Sequence, residues 1–236
     1  VTALQRASNG TGSSDAWTIG FLIKPSTVTQ NQTWLHYGGT NSGSDGHIHI
    51  GETSFGSGTL LFRFGTTNNY IGFLSLAALT VNDWNHVMIT YDGGTTGIVQ
   101  SDFALYGSRF KIFVGGVQLT TTAHGLGNGY DGSVTDGAFT VGKTGSSDFL
   151  NGTILNRLCI WDSDQSANIS GIYNNGDIQN MLSSSTMDGT VDGTYEAPDH
   201  YYEIETSVTT ITDVNGNADL TGYNFVNYDL VTDIPT

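Results

Sequence analysis

Trp84-Asn85-His86-Val87-Met88-Ile89-Thr90-Tyr91-Asp92-Gly93 is a run of β-branched and aromatic residues that stops at an Asp-Gly turn signal. Such a run, bounded by Gly, Asn and Asp, is a strand followed by a tight reversal. Similar runs stand on both sides of it. Upstream are Thr33–Tyr37, His47–Ile50, Thr59–Phe64 and Tyr70–Ser75; downstream are Arg109–Val114, Ala138–Val141 and Ile154–Trp161. Gly38-Gly39, Gly115-Gly116 and Asp131-Gly132 separate them as further turn signals. Nearest the N-terminus, Trp17, Ile19, Phe21 and Ile23 alternate with Thr18, Gly20 and Lys24, broken only by Leu22, and Pro25 ends that strand. Many short strands with turns between them predict an antiparallel β-sandwich or barrel.

Helix signals are confined to one place. Asp162 or Ser163 is placed to cap a short segment through Ser166, Ile169, Ile172 and Tyr173 that stops at Asn175-Gly176, and a second turn is expected over Asp177–Leu182. Residues 183–198 are polar and predict a loop before a closing β segment over Asp199–Leu230. No internal repeat interrupts this pattern, and residues 1–236 are expected to form a single domain.

Composition narrows the function classes. Seven Lys plus Arg stand against 22 Asp plus Glu, a formal net charge of −15. Arg6, Lys24, Arg63, Arg109, Lys111, Lys143 and Arg157 are scattered, so the clustered cations that a phosphate backbone requires are missing and nucleic acid is a poor partner. No apolar run approaches the ~20 residues of a membrane span, and membrane insertion is not expected. The N-terminal residues lack the basic and apolar regions of a signal peptide, and a start at Val1 suggests processing or excision. Cys159 is the single cysteine and lies in the apolar run Leu158–Trp161, which predicts a buried, inert thiol.

Three segments, in order, resemble a known family. Trp84–Gly93 is similar to the W-x-H-V-x-x-T-Y-D-G strand and turn of laminin-G-like, concanavalin A-like domains. Phe110–Leu119 (FKIFVGGVQL) resembles the strand and hairpin usually written L-Y-V-N-G-V. Phe139–Gly142, Phe149, Gly152 and Leu158–Trp161, leading into Asp162–Ser166, resemble the closing I-G…F-x-G-x-I-D-E-V-x-I-W-N…S segment, with Asn156 and Arg157 where the family often has Asp-Glu. The resemblance covers about two thirds of the chain. It implies an all-β, two-sheet antiparallel jelly-roll sandwich with one or two short helical turns. Arg6–Gly10, Trp161–Asn168, Pro198–Tyr202, Asp213–Asp219 and Asp229–Pro235 further resemble laminin-G-like structural proteins of marine tailed bacteriophages. That implies a virion component.

Candidate site residues come from loop ends and one strand face. Trp34, Tyr37, Tyr70 with Asn68, and Tyr130 with Asn128 are aromatic or amide groups suited to a sugar platform, whereas Trp17, Trp84 and Trp161 are better explained by core packing. His47 and His49, two apart in a strand with Asp45 just before them, share a face and suit a metal or a sugar hydroxyl; zinc would need a third ligand. His86 fills the family's strand position and reads as structural. Asp131–Asp136 and Asp213–Asp219 are oxygen-rich loops of the kind calcium takes, although DVNGNAD lacks the ordered series of a calcium loop; no cofactor is otherwise expected. Glu203 and Glu205 would share a strand face, but the E-x-D-x-x-E string of the glucanase branch is absent, so hydrolysis is disfavoured.

The sequence therefore predicts a non-enzymatic virion structural protein of a tailed phage: a capsid decoration, fibre or adhesion protein at the virion surface. Its expected partners are other virion proteins, copies of itself, as in a trimer, and host-surface polysaccharide. The alternative is a free, secreted carbohydrate-binding lectin domain, and after it a divergent glycoside hydrolase.

Overall fold

The computed structural model describes residues 16–26, 32–38, 47–52, 60–65, 70–75, 79–93, 109–126, 138–142, 154–172, 198–202, 210–214 and 219–221. They form two six-stranded antiparallel sheets. The first runs β12(His200–Tyr202), β11(Ile154–Trp161), β1(Trp17–Lys24), β6(Asn85–Tyr91), β7(Phe110–Val114), β8(Val117–Gln118). The second runs β10(Ala138–Val141), β2(Gln32–Gly38), β3(His47–Glu52), β4(Leu60–Gly65), β5(Tyr70–Ser75), β9(Thr121–Leu126). A small hairpin, β13(Thr210–Ile211) with β14(Leu220–Thr221), stands beside them. This is the two-sheet jelly-roll sandwich that the strand pattern and the resemblance predict.

The core lies between the sheets, where alternate residues of each strand meet. From the first sheet come Trp17, Ile19, Phe21, Val87, Ile89 and Tyr91, all at most 2 % exposed; from the second come Leu35, Ile50 and Phe62. Aromatic rings clamp the two layers. Phe62 of the second sheet lies 6.1 Å from Trp17 and 5.1 Å from Phe110, and Tyr91 stacks on Phe110 at 4.5 Å. Burying rings of this size removes large apolar areas from water, the main favourable contribution to such a fold.

The first sheet is also covered on its outer face. Met88, Phe113, Cys159, Trp161 and Tyr201 form a second cluster there with Ile169 and Ile172 of α1(Ile169–Ile172). Leu22, the residue that interrupts the alternation of β1, is outside the main core cluster yet fully buried. Gly20 makes room for the second cluster: a Cβ there would sit 3.3 Å from both Met88 Cγ and Trp161 Cζ3.

Several expectations are corrected. Trp34 and Tyr37 belong to the main core, at 0 % and 2 % exposure, because a bulge between Thr33 and Leu35 turns both Trp34 and Leu35 inward. Trp84, expected in the core, is half-buried, whereas Trp161 is fully buried in the outer cluster, as core packing predicts. Neither Asp162 nor Ser163 caps the helix. The loop before it is tied to β1 through Thr18, whose hydroxyl donates to Ser163 O and accepts from Gln165 N, both at 2.9 Å, and α1 starts only at Ile169. Among the described residues, the closing β segment comprises three short strands, β12, β13 and β14. Strand β9 was not anticipated, since Thr121–Leu126 (TTAHGL) has no apolar alternation. The second helical turn over Asp177–Leu182 falls outside the described residues, as does 183–198 apart from Pro198.

Candidate site on the outer face of the second sheet

Register fixes which residues share a face. Leu35, Ile50 and Phe62 pair across β2, β3 and β4 and lie in the core, so the alternate positions belong to the opposite, outer face. One outer row crosses all six strands: Thr140, His36, His49, Arg63, Gly72 and His124. The next row is Ala138, Gly38, His47, Gly65, Tyr70 and Leu126. Two side chains at the β2 end have little contact with water: Thr33 is 0 % and His36 6 % exposed.

Of the residues singled out in the sequence, His47, His49 and Tyr70 are brought onto this face. Trp34 and Tyr37 are excluded from it by burial in the core. Asp45, Asn68, Asn128 and Tyr130 lie outside the described residues, as do Glu203, Glu205 and the loop Asp131–Asp136. The structure adds His36, Arg63 and His124. Arg63 was legible as the one charged position in the apolar run Leu60–Phe64, alternating with Phe62 and Phe64. His36 was not, because the bulge at Trp34 reverses the alternation ahead of it.

The remaining chemistry-bearing groups serve the fold. His86 is fully buried in β6, and desolvation depresses its imidazole from the ordinary 6.5 to about 3, so it is neutral in the folded protein. Burial raises the Cys159 thiol far above its usual range, against the nearby Arg157 charge, and its Sγ donates to Arg157 O at 3.5 Å. That thiol is not a nucleophile. Arg157 itself has φ 51° at the irregularity in the β1–β11 ladder and donates from Nη1 to the Tyr201 hydroxyl at 2.6 Å.

Asp213, read in the sequence as part of a calcium-like loop, has both carboxylate oxygens engaged within the protein. Oδ1 accepts from Tyr201 N at 3.0 Å and Oδ2 meets His200 Nδ1 at 2.6 Å, while Asp213 N donates to Asp219 Oδ1 at 2.9 Å. Tyr202, beside this cluster, has its phenol pushed well up by burial first and then by the charges of Asp213 and Asp219. Among the described residues no group of three or more His, Cys, Asp or Glu is placed to hold a metal, and no helix is long and apolar enough to cross a membrane.

Comparison with known proteins agrees with this architecture. No curated protein matches. Among solved structures, a candidate carbohydrate-binding protein from Bacteroides ovatus superposes with a TM-score of 0.54 at 20 % identity, over 88 % of this chain and 51 % of that one. This chain thus spans about half of that relative's length. A pentraxin from Limulus polyphemus, heptameric and serum-amyloid-P-like, gives a TM-score of 0.45 at 14 % identity over 89 % of this chain and 85 % of that one. Domain 4 of an arabinanase from Geobacillus stearothermophilus, solved with arabinotriose, gives 0.46 at 14 % identity over 69 % and 68 %. The Bacteroides ovatus likeness speaks to fold alone. The family match goes further, for the model of a laminin-G family in the concanavalin A-like lectin/glucanases superfamily matches residues 2–168, well over half of the 236. The chain belongs to the concanavalin A-like lectin/glucanases superfamily.

Proposed function

We propose that this chain is a non-catalytic polysaccharide-binding module whose ligand lies on the outer face of the second sheet, across β3, β4, β5 and β9. One observation carries the reading: His47, His49, Arg63, Tyr70 and His124, dispersed over 78 positions of sequence, share two neighbouring cross-strand rows of one face. Imidazole and guanidinium donors beside an aromatic ring are the elements of sugar recognition, and a sheet presents them at fixed spacing. The superfamily includes lectins, and the Bacteroides ovatus relative is described in the same terms; both support the reading by analogy of fold. Catalysis is disfavoured because the glucanase string is missing and the oriented dyad His200–Asp213 ties two strands together. Affinity electrophoresis through gels containing a panel of polysaccharides tests the proposal. Retardation in at least one gel, lost in Tyr70→Ala, is expected; free migration in every gel would refute it.

A second reading concerns setting. Described residues of the segments that resemble phage structural proteins are hydrogen-bonded to one another, the first (Trp161–Asn168) to the second (Pro198–Tyr202) and the second to Val214 of the third. Asp162 N donates to Asp199 Oδ2 at 2.7 Å, and Val214 N to Tyr201 O at 2.9 Å. We propose on the resemblance that the module is a homo-oligomeric component of a tailed-phage virion, as capsid decoration, fibre or adhesion protein, and that host-surface polysaccharide is its target. The chain should then be found at stoichiometric copy number in purified particles by electron cryo-microscopy. A protein absent from particles would instead be a secreted lectin.

A further inference from the structure

We infer that the ligand of this face is a polyanion, a carboxylated or sulfated polysaccharide; the inference rests on the binding-face reading above. Across β3, β4, β5 and β9 the two outer rows occupy eight positions and hold His47, His49 and His124, three of the six histidines in the chain, together with Arg63. An even scatter of six histidines over 236 residues would leave fewer than one in eight positions. None of the 22 acidic residues stands in either row, although acids outnumber Lys plus Arg threefold in the whole chain. The face therefore departs from the rest of the molecule in the sign of charge that it favours.

The donor and acceptor balance points the same way. A neutral sugar presents hydroxyls that both donate and accept, and sites for it need carboxylates, amide oxygens or carbonyls to take the donated hydrogens. Arginine only donates, and an imidazole accepts at one nitrogen at most. A row dominated by donors is matched by ligand groups that only accept, which carboxylates and sulfates do, with charge-assisted bonds to the guanidinium. Gly65 and Gly72 stand among these residues, so the face has no Cβ at two central positions. From β3 to β9 is three inter-strand steps, about 14 Å at ordinary spacing. A stretch of polymer fits that length better than a single sugar.

The −15 charge opposes a polyanion at long range, so binding must come from these local contacts. Matched pairs of polysaccharides isolate the charge: polygalacturonate against its fully methyl-esterified form, and carrageenan against unsulfated agarose. With the intact chain in about 0.15 M salt, we expect binding to at least one charged member. The neutral partner and the variants Arg63→Gln and His49→Gln should each bind about tenfold more weakly, the effect of losing one charge-assisted hydrogen bond. His124→Gln on β9 gives an independent check should either variant fail to keep the wild-type circular dichroism and thermal midpoint. Equal binding to charged and neutral members would overturn the polyanion inference while leaving a glycan-binding module. Binding to the charged members that is indifferent to all three variants would remove the site from this face. Free migration of the protein with all four polymers would refute the inference together with the function on which it rests.

Discussion

His86 shows how one residue of a strand sets the response to acid. In the unfolded chain its imidazole takes a proton near pH 6.5, whereas in the fold burial holds it neutral down to about 3. Its folded value is depressed, so the stability it contributes is complete above pH 6.5 and is lost as the pH falls towards 3. Each pH unit in that window removes about 1.4 kcal/mol. The urea midpoint should therefore fall between about pH 7.5 and about pH 5, corresponding to roughly 2 kcal/mol. His86→Gln, without a titrating group, should flatten that slope while starting from a lower midpoint; an unchanged slope would show that protonation of His86 is not the cause. Asn85 beside it is equally legible as structure once placed. Its amide accepts from Thr80 N at 2.8 Å and donates to Thr80 O and Asp83 O, closing the loop that leads into β6.

At the scale of elements, the sandwich is held by ladders that the sequence announces and by a clasp that it does not. Gly115 and Gly116 have φ 56° and 75°, the geometry of a two-residue type I′ hairpin, so β7 and β8 follow from a Gly-Gly pair between apolar runs. The C-terminal clasp has no such local rule. Asp213 is fully buried as a side chain, bonded to His200 and to the Tyr201 amide, and it bridges β12 to the hairpin of β13 and β14. Asp213→Ala should leave the Tyr201 amide without its acceptor and cost about 2–4 kcal/mol. Hydrogen exchange should then speed up at the Tyr201 and Val214 amides well before those of β1 and β6; unchanged protection there would mean that the strand pairing alone holds the segment.

The whole molecule carries a net charge of −15 with few internal cations to offset it. Self-repulsion of that size destabilises the folded state and is screened over about 8–10 Å at ordinary salt. The thermal midpoint should rise by several degrees between about 0.02 M and about 0.5 M sodium chloride at neutral pH, through the Debye screening of like charges. A midpoint that falls over this range would mean that attractive pairs such as Arg109–Asp92, at 3.1 Å, outweigh the repulsion.

The sequence by itself determined the strands and the class of fold, because period-two alternation and glycine turns are local properties of a chain. Trp17–Lys24, Asn85–Tyr91 and Ile154–Trp161 could be bounded to within a residue for that reason. It determined less about β9, where threonine, alanine, histidine and glycine carry no alternation and the strand exists through its pairing with β5. Only the tertiary structure decided which aromatics were available. As sequence, Trp34 reads as a loop-end platform and Trp84 as core, yet a bulge in β2 sends Trp34 into the core, while Trp84 stays half-buried ahead of β6. The candidate site was legible only in pieces. His47 and His49 could be paired by their spacing, but their meeting with Arg63, Tyr70 and His124 depends on the register of four strands. Register is set by long-range packing of the opposite, apolar face, and no segment of the chain contains it.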